Sequence, residues 1–286
     1  MIVHYSLASQ KGSASETNTD QVLVCQGDQP LSSGEDESKG TVKSAGIVVS
    51  ICDSLVPGSD GLESCKDAQQ LIVELLRESN DLDRLDIDDA KRLLGEGIKR
   101  VHELMLQQTE VRDDELEMQA SLAIAWFSKD CIIFSHVGNA RVYRFTDGVA
   151  ELLTDDHTEA WELVTAGKIT PDKVGTYPGR KNMTQLLGGK KKLQPKSELK
   201  SLKLEKGDVF VLCSDGLIEG FSDRDLQEQL TACINENGQL DLGSAQKILE
   251  KSQTNSGDDD ASVVVCQAFP NQSVWTSIIE RLEEAD

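Results

Sequence analysis

The sequence lacks any apolar run of the roughly 20 residues that cross a bilayer, and its start lacks a basic segment followed by an apolar one. We therefore expect a cytoplasmic protein with no membrane partner. Basic residues are in deficit, because 29 Lys and Arg stand against 50 Asp and Glu, a formal charge of −21 over 286 residues. Since this charge repels polyanions, we expect no nucleic-acid partner. A divalent cation or a basic partner is the counter-charge that it favours.

Paired metal-binding cysteines and the common hydrolase motifs are also missing. The seven cysteines are widely separated and form no CxxC pair, a usage typical of buried thiols in a reducing cytosol. None is followed by Arg six positions later, which excludes the loop of cysteine-dependent phosphatases. No HExxH, GxSxG or P-loop motif occurs, and the four histidines are too scattered for a zinc cage. Any bound metal would therefore be held by oxygen atoms.

Hydrophobic patterning predicts one domain of α+β type, with paired sheets inside and helices outside. Strands are predicted at 3–8, 21–25, 45–52, 121–126, 131–136, 141–145, 149–153, 208–213 and 261–267. Apolar residues at helical spacing predict two helices between residues 68 and 105, and shorter helices near 160–164, 223–233 and 244–251. The strands between 121 and 153 are predicted to form one antiparallel meander. Residues 27–43, rich in Gly, Ser and acidic side chains, are predicted to form a solvated hairpin.

Four aspartates adjoin predicted core strands. Asp20 precedes one strand and Asp53 ends another, while Asp215 follows a third and Asp259 precedes the last. Partly buried charges of one sign are costly unless they are neutralised, and two divalent cations would balance four carboxylates. All-oxygen ligands favour Mg²⁺ or Mn²⁺ over zinc. The alternative is that some of these residues only cap turns, as Asp commonly does, and the sequence does not establish that the four meet in space.

Six short motifs occur in a specific order from about Tyr5 to Gln267. They are Gly12 through Asn18-Thr19-Asp20, Ile51-Cys52-Asp53, SHVGNARVY at 135–143, LTDDH at 153–157, LCSDGL at 212–217 and DDASV at 259–263. In order and spacing they resemble the metal-dependent protein phosphatase family, the type 2C-like group. The resemblance implies a phosphatase-like domain over residues 1–268, and we expect a C-terminal helical tail over 269–286.

The resemblance also implies a fold and a chemistry. The implied fold is a four-layer αββα sandwich of two packed antiparallel sheets. The implied activity is a serine/threonine phosphoprotein phosphatase, in which a water bridging two Mn²⁺ or Mg²⁺ ions attacks phosphorus without a covalent enzyme intermediate. Carried over by position, the catalytic carboxylates and metal ligands are Asp20, Asp53, Asp215 and Asp259, with the backbone carbonyl of Ser54 as a further ligand.

Several positions depart from the pattern of the resembled family. Asp53 is followed by Ser54-Leu-Val-Pro rather than by glycines, and Leu55 stands where some members have a candidate acid. Ser15 stands near the position of a phosphate-binding arginine, and Thr19 replaces the usual Glu or Gln. Asn139 replaces an Asp that helps to hold a third, weaker metal. These changes concern activity more than fold.

Two interpretations therefore remain open. In the first, the chain is a working phosphatase, and phosphate is held by the metals and another cation, for which the candidates are Arg141, Arg180 and the lysines at 190–192. In the second, it is an impaired pseudophosphatase that binds a phosphoprotein or another partner without turnover. The flap-like segment 155–189 is the expected place for substrate or partner choice. The tail could dock on its own domain or bind a partner helix.

Overall fold

The structure, a computed structural model, describes residues 1–33, 37–43, 46–79, 82, 85–112, 116–189 and 198–270. Its first sheet has six strands in the order β4 (Glu37–Val42), β1 (Ile2–Gln10), β13 (Ala261–Phe269), β12 (Val209–Cys213), β8 (Arg141–Thr146) and β9 (Val149–Leu152). The second has the order β11 (Lys200–Lys203), β7 (Cys131–Val137), β6 (Gln119–Ser128), β5 (Ile47–Ser54), β2 (Gln21–Gln26) and β3 (Gln29–Ser33), with β10 (Leu187–Gly188) beside β6. All of these pairings are antiparallel.

Helices cover the outer face of each sheet. The helices α1 (Gly58–Glu78) and α2 (Ile87–Glu110) pack on the second sheet, and α4 (Asp215–Glu219), α5 (Asp223–Cys233) and α6 (Ser244–Asn255) pack on the first. A short helix α3 (Glu159–Thr165) and a 3₁₀ helix (Pro171–Thr176) lie in the flap segment. The predicted α+β fold, a four-layer αββα sandwich, is confirmed.

The apolar runs of the central strands follow from this layering. In β2, Val22 and Val24 point between the sheets, whereas Leu23 and Cys25 point toward α1 and α2. All four side chains are at most 1% exposed. Because both faces of the strand are covered, the sequence shows a continuous apolar run rather than an alternation.

Two local predictions were wrong. The strands between 121 and 153 do not form one meander, because the chain leaves the second sheet after β7 and enters the first as β8. The connection runs through Gly138, whose φ of 93° is the left-handed region that favours glycine. Residues 27–43 do not form one hairpin either, since β3 pairs with β2 and β4 pairs with β1 in the other sheet. The strands β3 and β4 lie at the edges of the two sheets. Their residues are mostly polar, so their composition is that of a loop.

The C-terminal boundary is described only in part. The last strand includes Phe269, one residue beyond the predicted end of the domain. The predicted helical tail lies outside the described residues from 271 onward, so the division into domain and tail stays a prediction. Among the helices of the described ranges, none has the length and apolarity needed to cross a membrane.

Candidate active site

Strand pairing brings the four predicted aspartates to one end of the sandwich. Gln21 of β2 pairs with Cys52 of β5, which places the preceding Asp20 beside the following Asp53. Similarly, Cys213 of β12 pairs with Val263 of β13, so Asp215 after the one strand lies near Asp259 before the other. The four residues are far apart in the chain, and antiparallel pairing is what assembles them.

The four carboxylates lie close enough to one another to affect their pKa values. Burial and then the charges of Asp20, Asp215 and Asp259 raise the pKa of Asp53 well above its ordinary value. Burial, followed by the charge of Asp259, raises the pKa of Asp215 to about 6. Burial also raises the pKa of Asp20 to about 7, although a hydrogen bond from Ser214 opposes this shift. Each carboxylate therefore lies in the field of its neighbours, where ionisation is costly without a counter-ion.

The donors of this cluster suit a hard divalent cation. Asp20 is 2% exposed, and its Oδ2 accepts a hydrogen bond of 2.7 Å from Ser214 Oγ. Its Oδ1 is buried and has no hydrogen-bond partner. A buried carboxylate oxygen without a donor, among other carboxylates, is an environment that a cation bound by oxygen would satisfy.

The side chains are not preset for coordination. In the ranges that the structure describes, no group of three or more His, Cys, Asp or Glu side chains is arranged to hold a metal. Asp215 Oδ2 accepts a hydrogen bond of 2.7 Å from Asn139 Nδ2, and Asp259 Oδ2 lies 3.9 Å from Lys181 Nζ. A cation bound here would have to compete with these two partners, and both would need to move.

A cavity of about 650 Å³ opens onto the cluster. Its lining includes Asp53, Asp215 and Asp259, together with Ser15, Leu55 and Lys181. Leu55 is 43% exposed, a high value for an apolar side chain beside acidic groups. The cavity is therefore acidic at its base, and Lys181 supplies a cation at its wall.

Ser54, the predicted carbonyl ligand, adopts an ordinary backbone conformation. The only residues other than glycine with positive φ in the described ranges are Lys129 and Asp147. The Ser54 carbonyl accepts a hydrogen bond of 3.4 Å from Thr19 Oγ1, and its hydroxyl accepts one of 3.1 Å from the backbone N–H of Val56. Ser54 thus occupies the position of the resembled family's glycine without backbone strain. Its carbonyl remains beside the four aspartates.

Asp260, which the sequence did not single out, fixes the loop that precedes Asp20. Its Oδ1 accepts from the backbone N–H of Gly12 at 2.9 Å, and its Oδ2 accepts from the backbone N–H of Thr19 at 2.8 Å. Gly12 packs so closely that a Cβ there would lie 2.4 Å from the carbonyl oxygen of Asp258. The loop 12–19 is therefore held against the start of β13. The signals in the sequence were the run of three aspartates at 258–260 and the motif DDASV at 259–263, of which only Asp259 was assigned a role.

Of the cations predicted to hold phosphate, Arg141 is committed elsewhere. Its Nε and Nη2 donate to the two carboxylate oxygens of Asp156 at 2.8 and 2.7 Å, and its Nη1 donates to Tyr143 Oη at 2.8 Å. Arg180 is exposed and lines a neighbouring cavity of about 550 Å³. The lysines at 190–192 lie outside the described residues. Lys181, which sequence reasoning missed, is the basic side chain placed beside the acids.

The raised pKa of Asp215 predicts that the metal-free protein loses free energy of unfolding as the pH rises. An acid whose pKa is higher in the folded than in the unfolded state destabilises the fold as it ionises. With a folded pKa of about 6 and an ordinary value of 3.8, the penalty begins to appear above the ordinary value and is complete above pH 6. In EDTA we therefore expect Asp215→Asn to melt higher than the wild type at about pH 8, and the difference to vanish near pH 4.

Differential scanning calorimetry of both proteins measures this difference directly. Burial lowers the pKa of His157 to about 4, which gives the opposite slope, but this contribution is shared by both proteins and cancels. Asp147→Asn, in an exposed turn, is the matched control and should leave the melting temperature unchanged at each pH. If the melting temperature of Asp215→Asn exceeded that of the wild type by an amount that grows as the pH falls, the placement of Asp215 in a buried, acidic environment would be contradicted.

Comparison with known proteins agrees with the fold and the motifs. The family model described as protein phosphatase 2C matches residues 58–249, a range that includes Asp215 but not Asp20, Asp53 or Asp259. The serine/threonine protein phosphatase PstP of Mycobacterium tuberculosis is 27% identical over 212 residues, which are 74% of this chain and 39% of PstP. The chain thus matches about two fifths of the length of that relative.

Two solved structures share the fold. Serine/threonine phosphatase Stp1 from Staphylococcus aureus has a TM-score of 0.76 at 17% identity, covering 92% of this chain and 94% of Stp1. The catalytic domain of PstP in complex with two manganese ions has a TM-score of 0.68 at 24% identity, covering 93% of this chain and 99% of that domain. At these identities the structures establish the fold alone. Because the family model matches more than half of the sequence, the chain belongs to the protein phosphatase 2C family.

Proposed function

We propose that this chain is a metal-dependent phosphatase acting on phosphoserine or phosphothreonine in proteins. The observation that carries the proposal is the cluster of Asp20, Asp53, Asp215 and Asp259, of which the last three line the cavity. In this cluster mutual repulsion opposes ionisation, and one buried carboxylate oxygen of Asp20 has no donor. A stable fold has little reason to keep four acids together unless cations neutralise them. Membership of the family supports the same conclusion.

The four carboxylates and the Ser54 carbonyl are the proposed ligands of two Mn²⁺ or Mg²⁺ ions. When bound, such ions would supply an activated water and stabilise the charge that develops on the transferred phosphoryl group. Ser214 holds the Asp20 carboxylate in place through its 2.7 Å hydrogen bond. Asp260 fixes the loop that carries Ser15 and Thr19 along the cavity. These contacts fix Asp20 and the loop 12–19, whereas Asp215 and Asp259 would still have to exchange Asn139 and Lys181 for a bound ion.

One observation favours the alternative of a pseudophosphatase that binds phosphoproteins without turnover. Asn139 donates to Asp215 Oδ2, where a carboxylate at the same position would repel it and recruit a cation. Ser15 also carries no charge with which to clamp phosphate. We place the enzyme first, since none of the four proposed carboxylate ligands has been lost.

Phosphate release from a phosphothreonine peptide tests the proposal. We expect release that requires Mn²⁺ or Mg²⁺, stops in EDTA and falls to the no-enzyme blank in Asp215→Asn. Asp147→Asn, which makes the same chemical change in an exposed turn, should retain full activity. If the wild type releases nothing above the blank with either metal but binds the phosphopeptide, the pseudophosphatase alternative replaces the enzyme.

The substitution Asn139→Asp separates the two interpretations further. In EDTA we expect a lower melting temperature, because a hydrogen-bond donor to Asp215 is exchanged for a second carboxylate. With saturating Mn²⁺ we expect faster turnover, because the added carboxylate strengthens a cation site that Asn139 weakens. Thermal melts in EDTA measure the first effect, and steady-state kinetics over a Mn²⁺ titration measure the second.

The control for Asn139→Asp is Asn237→Asp, which adds the same charge at an exposed turn far from the cavity. It should change neither turnover nor the Mn²⁺ requirement. An equal or lower rate for Asn139→Asp at saturating Mn²⁺ rejects a weakened cation site as the cause of slow turnover.

A further inference from the structure

The acidic cavity contains one basic side chain that nothing in the proposed ligand set uses. Among the described residues that line it, Lys181 alone is basic. Its side chain is 54% exposed and forms an ion pair with Glu219, and its Nζ lies 3.9 Å from Asp259 Oδ2. With two divalent cations offsetting the four ligand carboxylates, Lys181 is the described basic side chain of the lining that a phosphate dianion can contact besides the metals.

Other nearby cations are already engaged. Lys11, next to the loop 12–19, donates to the backbone carbonyls of Gly12 and Ser15 at 3.2 and 2.5 Å. Arg141 is held by both oxygens of Asp156. Arg180 lines the adjoining cavity, which shares Asn139, Lys181 and Asp215 with the acidic one, but it does not line the acidic cavity itself. Lys181 is thus the described basic residue that lines the acidic cavity, and its side chain is 54% exposed.

The backbone around Lys181 is fixed, although its side chain is not. The backbone N–H of Asn182 donates to the carbonyl of Gly179 at 3.1 Å, closing a turn over residues 179–182. Glu159, at the start of α3, donates its backbone N–H to the carbonyl of Asn182 at 2.9 Å and accepts from Asn182 Nδ2 at 2.9 Å. This turn of the flap is therefore tied to a helix, and it presents the lysine to the rim of the cavity.

The partners of Lys181 are easily exchanged. The lysine of this ion pair is 54% exposed and the glutamate 24% exposed, so the pair is partly screened by solvent. A lysine ammonium on a four-carbon stem can turn toward a new anion without moving the backbone. A phosphate dianion attracts it more strongly than one carboxylate does.

We propose that Lys181 binds the phosphate group of the substrate in this cavity, and that Glu219 holds its ammonium when no phosphate is present. This inference rests on the proposed phosphatase function. It assigns to the flap the cation that Ser15 cannot supply.

Isothermal titration of inorganic phosphate into the Mn²⁺-loaded protein tests the inference. We expect Lys181→Met to weaken phosphate binding at least tenfold and Lys181→Arg to restore it to within about threefold of the wild type. The KM for a phosphothreonine peptide should rise in parallel in Lys181→Met. Lys168→Met, which removes the same charge from an exposed position of the same flap, should leave both values unchanged.

Unchanged phosphate affinity in Lys181→Met, an equal loss in Lys168→Met, or no phosphate binding by the wild type overturns the inference. This failure is distinguishable from failure of the proposed function. A wild type that releases phosphate while Lys181→Met binds phosphate normally overturns only the role of Lys181. A wild type without release overturns the enzyme, and the phosphate titration still decides whether Lys181 binds the anion.

Discussion

We expect the replacement of Asp53 by Asn to remove the Mn²⁺-dependent rise in melting temperature and to lower phosphate release by about a hundredfold or more. Asp53 lies at the centre of the cluster, since the charges of Asp20, Asp215 and Asp259 all act on it. An amide at this position would withdraw one negative charge from the residues that would hold the cations. The effect should therefore appear in binding and in rate together, and saturating Mn²⁺ should not rescue it.

The same substitution should stabilise the metal-free protein. Burial and the neighbouring acids raise the pKa of Asp53, so at neutral pH its ionisation is a cost to the fold. A variant that melts higher in EDTA but no longer responds to Mn²⁺ is not simply misfolded. Thermal melts with and without Mn²⁺ show both effects, with Asp147→Asn as the control. If Asp53→Asn retains the full Mn²⁺ response, Asp53 is not a ligand.

Replacing Arg141 by Met should destabilise the fold by about 3–5 kcal/mol, because a buried charge would be left without its partner. The side chains of Arg141 and Asp156 are only 11% and 9% exposed, and the guanidinium donates hydrogen bonds to both carboxylate oxygens. It also donates to Tyr143, whose hydroxyl donates to Asp223 at the start of α5. The loss should lower the melting temperature by about 10 °C.

Urea unfolding of Arg141→Met measures this loss, and two further variants identify its cause. Arg224→Met is the matched control, because Arg224 pairs with Glu228 while 84% exposed and should cost less than about 1 kcal/mol. Adding Asp156→Leu to Arg141→Met should recover part of the stability by removing the unpaired charge. A small loss of stability with a large rise in KM would contradict this account and return Arg141 to the role of phosphate cation.

The sequence predicted the layers better than the connections between them. The strand β5 and its neighbour β2 appear as apolar runs because both of their faces are covered. An apolar run does not indicate which of the two sheets a strand joins, because a central strand of either sheet is buried on both of its faces. The apolar pattern therefore does not show that the chain changes sheets between β7 and β8. The hairpin predicted over 27–43 is wrong for a different reason, because its polar strands β3 and β4 pair at the edges of two different sheets.

The acids of the candidate site could be predicted for a physical reason that does not extend to its other residues. Asp20, Asp53, Asp215 and Asp259 each adjoin a core strand, and strands can be found from their apolar runs. Lys181 lies in the flap, where no periodic pattern shows which side chains turn toward the cavity. Asp260 acts through partners such as Thr19, 241 residues away in the chain, and only the pairing of β1 with β13 brings them together.

The central claim is that the four strand-end acids hold two divalent cations in one cavity. A crystal of the full chain soaked in Mn²⁺ and recorded at the manganese absorption edge tests it most directly. We predict two anomalous peaks beside Asp53, within coordinating distance of the carboxylates of Asp20, Asp215 and Asp259. A map at millimolar Mn²⁺ with no peak in the cavity, or with the carboxylates turned away from the metal, would contradict it.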